Sequence, residues 1–405
     1  MDKVISFIQP SRSNLKYLKW SYHSIRKNLG YRHEICWADD FSDDGTWEWM
    51  NEIKDKDPNV KIHRNEGPTR LGHTILYDTL VDIATNDIVM IYHADMYACP
   101  GMDEAMLKHL EPGVVVSATR IEPPLHPDGP EKILIDFGIE PEEFKEQELL
   151  NYLSSRDFQH DETTEGIFAP WVIYKDDFLA IGGHDSLYAP QSKEDSDIFN
   201  RFVLAGYKLV QTWSGHVYHM TSRGSRFKDG AMRNPAGQVF MKGRESDEWL
   251  KQNLRSTRNF IRKWGHMVRH DEYMKPVIPP KYDVGFVVEN CDTNMLKELE
   301  PWCSDIYGDW VGHKGYGVNK YIEEEQRDTH FDLSKKIHSQ HIEPKNDIVV
   351  GFDAQKLTSQ NFQILVNLSD MLQDSGELGV MEYDIFKFNI KSLKTYEKEL
   401  IVCEH

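Results

Sequence analysis

One stretch, residues 86–101, restricts the fold more than any other, and it reads N-D-I-V-M-I-Y-H-A-D-M-Y-A-C-P-G. Residues 88–92 form a short apolar run between polar residues, which is typical of a strand covered on both faces. We expect this strand at the centre of a sheet. His93 and Asp95 follow it, so they should reach the crevice where open α/β sheets bind ligands. Asp95 is then placed either to hold a metal ion or to cap the following turn.

The chain around this stretch alternates strand patterns with helix patterns. Apolar runs predict strands, and apolar residues at helical spacing predict helices. The predicted strands cover residues 4–8, 34–38, 60–63, 114–118 and 209–213, and the predicted helices include 15–25, 47–53 and a helix ending near 84. Short loops between such elements favour a parallel, doubly wound α/β sheet.

Length and charge limit the class of protein. A chain of 405 residues exceeds the usual size of one domain, so we expect two. The net charge of −19, from 47 basic and 66 acidic residues, argues against binding a nucleic-acid backbone or an anionic membrane surface. No apolar run approaches the roughly 18 residues that span a bilayer.

The cysteines indicate the redox environment. Five of them are dispersed along the chain without a C-x-x-C pair, so neither a disulfide framework nor a zinc site is suggested. We therefore expect a cytoplasmic protein.

A proline-rich segment at residues 275–281, K-P-V-I-P-P-K, predicts the linker between the two domains. The first domain, 1–275, would include an insertion over 120–165 and a long helix over about 245–267 that packs on it. The second, 281–405, is predicted to be a smaller α/β domain with strands at 284–289, 347–352 and 377–383. No G-x-G-x-x-G follows its first strand, so no cofactor is assigned to it.

Several motifs now resemble one family. The turn D-D-F-S-D-D-G-T at 39–46 resembles the D-D-x-S-x-D-x-T turn of family-2 glycosyltransferases of the GT-A fold, and H-A-D at 93–95 follows at that family's spacing. Further along, A-I-G-G-H-D at 180–185 resembles I-G-G-F-D-E, and the segment 193–201 resembles the E-D-x-D-x-x-x-R helix start. These separate motifs occur in the family's order, and the resemblance covers roughly residues 1–230.

The resemblance implies a GT-A domain with a metal-dependent, inverting glycosyltransferase activity. The donor would be a nucleoside-diphosphate sugar, with UDP-sugar favoured and GDP-sugar possible, and the acceptor a hydroxyl of a glycan or another molecule. Carried over residue by residue, the motifs assign Asp195 and Glu194 to catalysis; Pro10, Arg12, Asp39, Asp40, Arg70, His93, Arg223 and Arg226 to the nucleotide; Trp171, Gly183, His184 and Asp185 to the acceptor or sugar; and Asp95 and His219 to Mn²⁺ or Mg²⁺.

Sugar transfer from a nucleoside diphosphate requires residues of these types. A divalent cation stabilises the diphosphate that leaves, and the acceptor hydroxyl needs a base, for which Asp195 is the candidate. Other interpretations stay open: His219 could be structural, and the acids at 194–197 could simply favour a helix N-terminus.

One departure from the family pattern motivates a different class of function. His93 stands where D-x-D has its first acid, which opens the alternative of an inactive GT-A-like glycan-binding or scaffold module. A nucleotidyltransferase is a weaker alternative, because it would need a Gly-rich basic loop where this chain has Q-P-S-R-S-N.

Overall fold

The computed structural model describes residues 3–155, 162–222, 230–242, 246–310 and 316–403. The chain divides into two compact units, each built from separated segments. The first unit comprises Met1–Leu250, His270–Val277 and Val402–His405, and the second comprises Lys251–Arg269 and Ile278–Ile401. Within the described ranges, no helix combines the length and the apolar character that a membrane crossing requires.

The first unit is a mixed α/β structure. Its strands are β1 (Ile5–Ser11), β2 (Glu34–Asp40), β3 (Val60–Asn65), β4 (Ile88–Ile91), β5 (Met96–Ala98), β6 (Val114–Glu122), β7 (Lys132–Leu134), β8 (Thr163–Thr164), β9 (Trp171–Tyr174), β10 (Lys208–His219), β11 (Met232–Arg233) and β12 (Val239–Phe240). Its helices are α1 (Leu15–Asn28), α2 (Thr46–Lys56), α3 (Gly72–Ile83), α4 (Met102–His109), α5 (Glu146–Ser155), α6 (Lys175–Ala180) and α7 (Glu194–Leu204).

The main sheet has the order β3-β2-β1-β4-β9-β6-β10-β5, with β7 paired to β6 and β8 to β10. Strands β1 to β4 pair with one another in parallel, whereas β9 runs antiparallel between β4 and β6. All four residues of β4 are buried, and β1 and β9 flank it within the sheet. The predicted central strand is therefore confirmed, and so is the α/β fold with its parallel-rich sheet.

Two strands extend further than the sequence predicts. The strand expected at 114–118 continues to Glu122, inside the segment that we took for an irregular insertion. The strand expected at 209–213 continues to His219, passing through a register shift between Thr212 and His216. His219, which lies beyond the end of the predicted strand, is therefore the last residue of this strand.

The second unit is a smaller α/β structure. Its strands are β13 (Val284–Glu289), β14 (Asp305–Gly308), β15 (Ile337–Ser339), β16 (Ile348–Asp353), β17 (Gly379–Tyr383) and β18 (Phe386–Ile390). Its helices are α8 (Asp247–Trp264), which begins in the first unit, α9 (Thr293–Leu299), α10 (Tyr316–Glu325), α11 (Leu333–Lys336), α12 (Ser359–Val366) and α13 (Leu368–Ser375). The sheet order is β15-β14-β13-β16-β18-β17, with β14 and β16 parallel to β13 and with β17 and β18 antiparallel.

The long helix α8 differs from its prediction. We expected it to pack on the first domain, but the contacts of Lys251–Arg269 place that segment in the second unit. Its polar side chains explain the grouping: Arg262 lies 2.6 Å from the fully buried carboxylate of Glu300, which also pairs with Lys336 at 2.7 Å. A buried carboxylate needs such partners, and they tie the helix to the α/β core around Glu300.

Candidate functional site

The carboxyl ends of β1, β2 and β4 open onto a cleft of about 970 Å³ in the first unit. This is the edge at which open α/β sheets bind ligands. The cleft brings together many of the residues predicted for the site, namely Pro10, Arg12, Asp40, Arg70, His93, Asp95, Glu194, Asp195 and His219. Residues from the 120–165 segment, including Arg120, Glu122 and Lys132, complete part of its wall.

Three side chains in the cleft could hold a metal ion. One ligand atom each of His93, Asp95 and His219 lies within 4.8 Å of the others. The end of β4 supplies His93 and Asp95, and the end of β10 supplies His219, whose Nε2 lies 3.4 Å from Asp95 Oδ1. Two imidazole nitrogens and one carboxylate fit a first-row divalent ion such as Mn²⁺ better than Mg²⁺, which prefers oxygen ligands.

A second carboxylate fixes the orientation of the His219 ring. Glu122 Oε1 lies 2.9 Å from His219 Nδ1, and the Glu122 side chain is only 1% exposed. Burial raises the pKa of Glu122, but Arg120, His219 and Lys132 together lower it by more than burial raises it. The pKa of Glu122 therefore lies well below its ordinary range. The ionised carboxylate accepts a hydrogen bond from Nδ1, which leaves Nε2 directed toward Asp95.

The two histidines have opposite pKa shifts. Burial and the neighbouring His219 lower the pKa of His93 to about 4, so this imidazole is neutral at pH 7. Burial also lowers the pKa of His219, but Asp95 and Glu122 together raise it to about 9. A cation bound by His219 would therefore displace a proton from it.

A different acid shapes the nucleotide side of the cleft. Asp40 accepts hydrogen bonds from the backbone N–H groups of Leu71 (3.0 Å) and Gly72 (2.9 Å), and Arg70 Nε lies 3.7 Å away. Gly72 has φ +78°, and a Cβ there would come within 2.0 Å of the Pro190 carbonyl oxygen, so the turn requires glycine. Asp40 thus holds the loop that positions Arg70 in the cleft wall.

The predicted catalytic acids lie at the start of α7. Glu194 Oε1 lies 2.5 Å from His73 Nε2. Burial raises the pKa of Glu194, but His73, a backbone hydrogen bond and the nearby His184 together lower it by more. Burial and the charge of Glu194 raise the pKa of Asp195 to about 6. Two adjacent carboxyls therefore have pKa values shifted in opposite directions, which is typical of acid–base sites.

A comparison with known protein families matches part of the first unit. Residues 6–162 match the family model described as glycosyl transferase family 2. Over these residues, which belong to the first unit, the chain is similar to family-2 glycosyltransferases, in line with the motifs found in the sequence. A search of curated proteins gave no match.

Two solved structures are similar to this chain at low identity. One is the crystal structure of GalNAc-T7 with UDP, GalNAc and Mn²⁺, with 16% identity and a TM-score of 0.41 over 53% of this chain and 43% of that one. The other is S. aureus TarS 1-349 in complex with UDP, with 15% identity and a TM-score of 0.39 over 53% of this chain and 59% of that one. The chain thus aligns with less than two thirds of either protein.

Four residues assigned to the acceptor or sugar are not among the residues that line the cleft. Trp171 is fully buried among aromatic rings such as Phe178 and Phe202, so its side chain belongs to the core. Gly183 and His184 form a tight turn in which the buried His184 ring lies 2.7 Å from Asp78. Asp185 caps a short 3-10 turn by accepting a hydrogen bond from Leu187 N–H.

Asp39 also lies outside the cleft wall. Its side chain is fully buried, with Oδ1 accepting a hydrogen bond from Ser42 N–H at 3.2 Å. Oδ2 has no hydrogen-bond partner among the residues that the structure describes, and Arg64 Nε is 3.7 Å away. Burial raises the pKa of Asp39. The predicted nucleotide contact of Asp39 therefore stays a prediction, and so do those of Arg223 and Arg226, which lie outside the described residues.

Sequence analysis missed Glu122, Arg120 and His73. The β-strand pattern of residues 114–122 was the available signal for the first two, since V-V-V-S-A-T-R-I-E continues without a Gly or Pro break. His73 gave no signal, because its contact with Glu194 spans 121 positions.

The hydrogen bonds of Asp40 lead to a test of the loop. In Asp40→Ala, the amides of Leu71 and Gly72 lose their acceptor, and their hydrogen exchange should accelerate about tenfold to a hundredfold, as expected for hydrogen bonds to a charged group. Exchange mass spectrometry with peptides covering 65–77 measures this. The control is Asp43→Ala, an exposed carboxylate bonded to Ser13 Oγ. Equal exchange in the two variants would contradict the role of Asp40.

Proposed function

We propose that this chain is a metal-dependent, inverting glycosyltransferase that transfers a sugar from a nucleoside-diphosphate donor to a hydroxyl of a glycan or another acceptor. The observation that carries the proposal is the meeting of His93, Asp95 and His219 in the same cleft as Asp195. A UDP-sugar is favoured on the family resemblance alone, and a GDP-sugar remains possible.

His93, Asp95 and His219 would hold the cation. Bound there, a divalent ion supplies positive charge against the diphosphate that leaves. The donor set favours Mn²⁺ over Mg²⁺. His93 was assigned to the nucleotide from the family pattern; its ring nitrogen lies within reach of the other two ligands, which supports a metal role instead.

The remaining side chains bind and orient the substrates. Arg12 and Arg70 place positive charge in the cleft, where they can bind phosphate oxygens. Asp195 accepts the proton of the acceptor hydroxyl, and its pKa of about 6 lets it be ionised at neutral pH. Attack from the face opposite the diphosphate gives inversion in a single step.

The proposal extends to the organisation of the chain. We infer a catalytic domain before the linker at 275–281 and a smaller domain after it, with most of α8 now assigned to the latter. Five cysteines without disulfides support a reducing compartment such as the cytoplasm.

The inactive glycan-binding module is the alternative function. It was motivated by His93 replacing an acid, and this motivation is weaker because an imidazole at that position can itself bind a metal ion. Measuring turnover distinguishes an active glycosyltransferase from a module that only binds glycans.

The metal assignment predicts the behaviour of Asp95→Asn. This variant removes the only carboxylate of the three-residue cluster, so Mn²⁺-stimulated hydrolysis of UDP-sugars should fall to background while the thermal unfolding temperature without metal stays close to that of wild type. The assay uses the purified chain with a panel of UDP- and GDP-sugars, with added Mn²⁺ or with chelator.

The matched control is Asp82→Asn, an exposed carboxylate in α3, which should keep full activity. Full activity of Asp95→Asn, or activity of wild type that excess chelator does not reduce, would refute the metal assignment.

The base assignment predicts a pH profile. Asp195 acts in its ionised form, so the wild-type transfer rate at saturating substrates should rise between pH 5 and pH 7 and level off above the pKa of about 6. Asp195→Asn should bind donor normally, lose this pH dependence and transfer sugar roughly a hundredfold or more slowly, the usual contribution of a general base.

Asp176→Asn is the control. It removes an acid from the first turn of α6, so it loses the same favourable interaction with a helix dipole that Asp195→Asn loses in α7. Similar rates for Asp195→Asn and this control would mean that Asp195 serves only the helix. Retention of the donor's anomeric configuration, seen by NMR of the product, would contradict single displacement.

A further inference from the structure

Glu122 is a buried carboxylate that the proposed chemistry does not use directly. It lies at the end of β6, 1% exposed, and its Oε1 is 2.9 Å from His219 Nδ1. The partner residues are separated by 97 positions in the sequence, so this contact depends on the pairing of β6 with β10.

Two cations keep this carboxylate an acceptor. Arg120 Nη1 donates to Glu122 Oε1 at 2.9 Å, and Lys132 Nζ lies 3.4 Å from Oε2. Arg120 is held in turn by the ring of Phe168, whose centroid is 4.1 Å from the guanidinium carbon. With its position fixed on both sides, Glu122 has little freedom to turn away from His219.

The contact determines which nitrogen of His219 reaches the cleft. With Nδ1 bonded to Glu122, Nε2 faces Asp95 at 3.4 Å and is the atom presented to the ligand cluster. Imidazole ligands of metal ions are commonly fixed through their other nitrogen in this way, and losing the partner typically weakens metal affinity about tenfold to a hundredfold.

We propose that Glu122 is a positioning residue that orients the His219 ring for a divalent cation. The inference rests on the proposed function, because it assumes the cation at His93, Asp95 and His219. It goes further by assigning part of the metal affinity to a residue that does not belong to the ligand cluster.

A purely electrostatic role is the competing explanation. Glu122 could simply neutralise Arg120 and Lys132. Glu131 offers the matched control, because its carboxylate lies 3.5 Å from Arg120 and 3.9 Å from Lys132. Among the contacts of the described residues, Glu131 has none with His219 like that of Glu122.

The experiment measures Mn²⁺ binding without turnover. The full chain is stripped of metal and titrated with Mn²⁺, and the free ion is followed by its electron paramagnetic resonance signal. Glu122→Gln should weaken binding about tenfold or more, whereas Glu131→Gln should stay within about twofold of wild type. Thermal unfolding of the metal-free variants checks that each is folded.

Glu122→Asp separates the effect of the negative charge from that of the side-chain length. It is also the variant to measure if Glu122→Gln does not fold. It keeps a negative charge beside Arg120 and Lys132 but shortens the side chain by one methylene, so it should also weaken Mn²⁺ binding. Wild-type affinity in folded Glu122→Gln or Glu122→Asp overturns the inference, and so does equal weakening by Glu131→Gln. If the wild-type chain itself binds no Mn²⁺, the proposed metal site is wrong, and the inference falls with it.

Discussion

The antiparallel pairing of β5 with β10 is the interaction on which the candidate site depends. It sets His219 opposite Met96, and the Met220 N–H donates to the Asp95 carbonyl oxygen at 3.1 Å. Two segments more than a hundred positions apart therefore meet at the end of the central strand. Because backbone hydrogen bonds fix this register, they place the side chains of Asp95 and His219 beside each other.

The sequence was sufficient for the parts of the site that are local in the chain. The central strand, the acids that follow β2 and β4, and the helix that begins at Glu194 all come from short patterns. The course of β10 could not be predicted, since the register shift before His216 interrupts the strand pattern while the backbone continues in the sheet. The acceptor assignments stay predictions: a motif predicts the turn around Gly183, but it does not show that the side chain of Trp171 packs inward.

Charge burial accounts for other features that the sequence did not predict. In the first unit, the carboxylates of Glu122 and Glu194 are buried but lie against imidazoles of His219 and His73. In the second unit, the buried carboxylate of Glu300 likewise forms ion pairs with Arg262 and Lys336. Buried ions persist only with such partners, and each pair here joins elements distant in sequence. Periodicity alone does not show which residues will pair.

The central claim is that the cleft binds a metal ion and a nucleotide together at His93, Asp95 and His219. The most direct test is anomalous diffraction at the manganese absorption edge from crystals grown with Mn²⁺ and UDP. The account predicts one strong anomalous peak within bonding distance of Asp95 and His219 Nε2, beside density for the diphosphate. A nucleotide bound in the cleft without a manganese peak would contradict it, as would manganese found instead at the other potential ligand cluster, Asp185, Asp197 and Cys403.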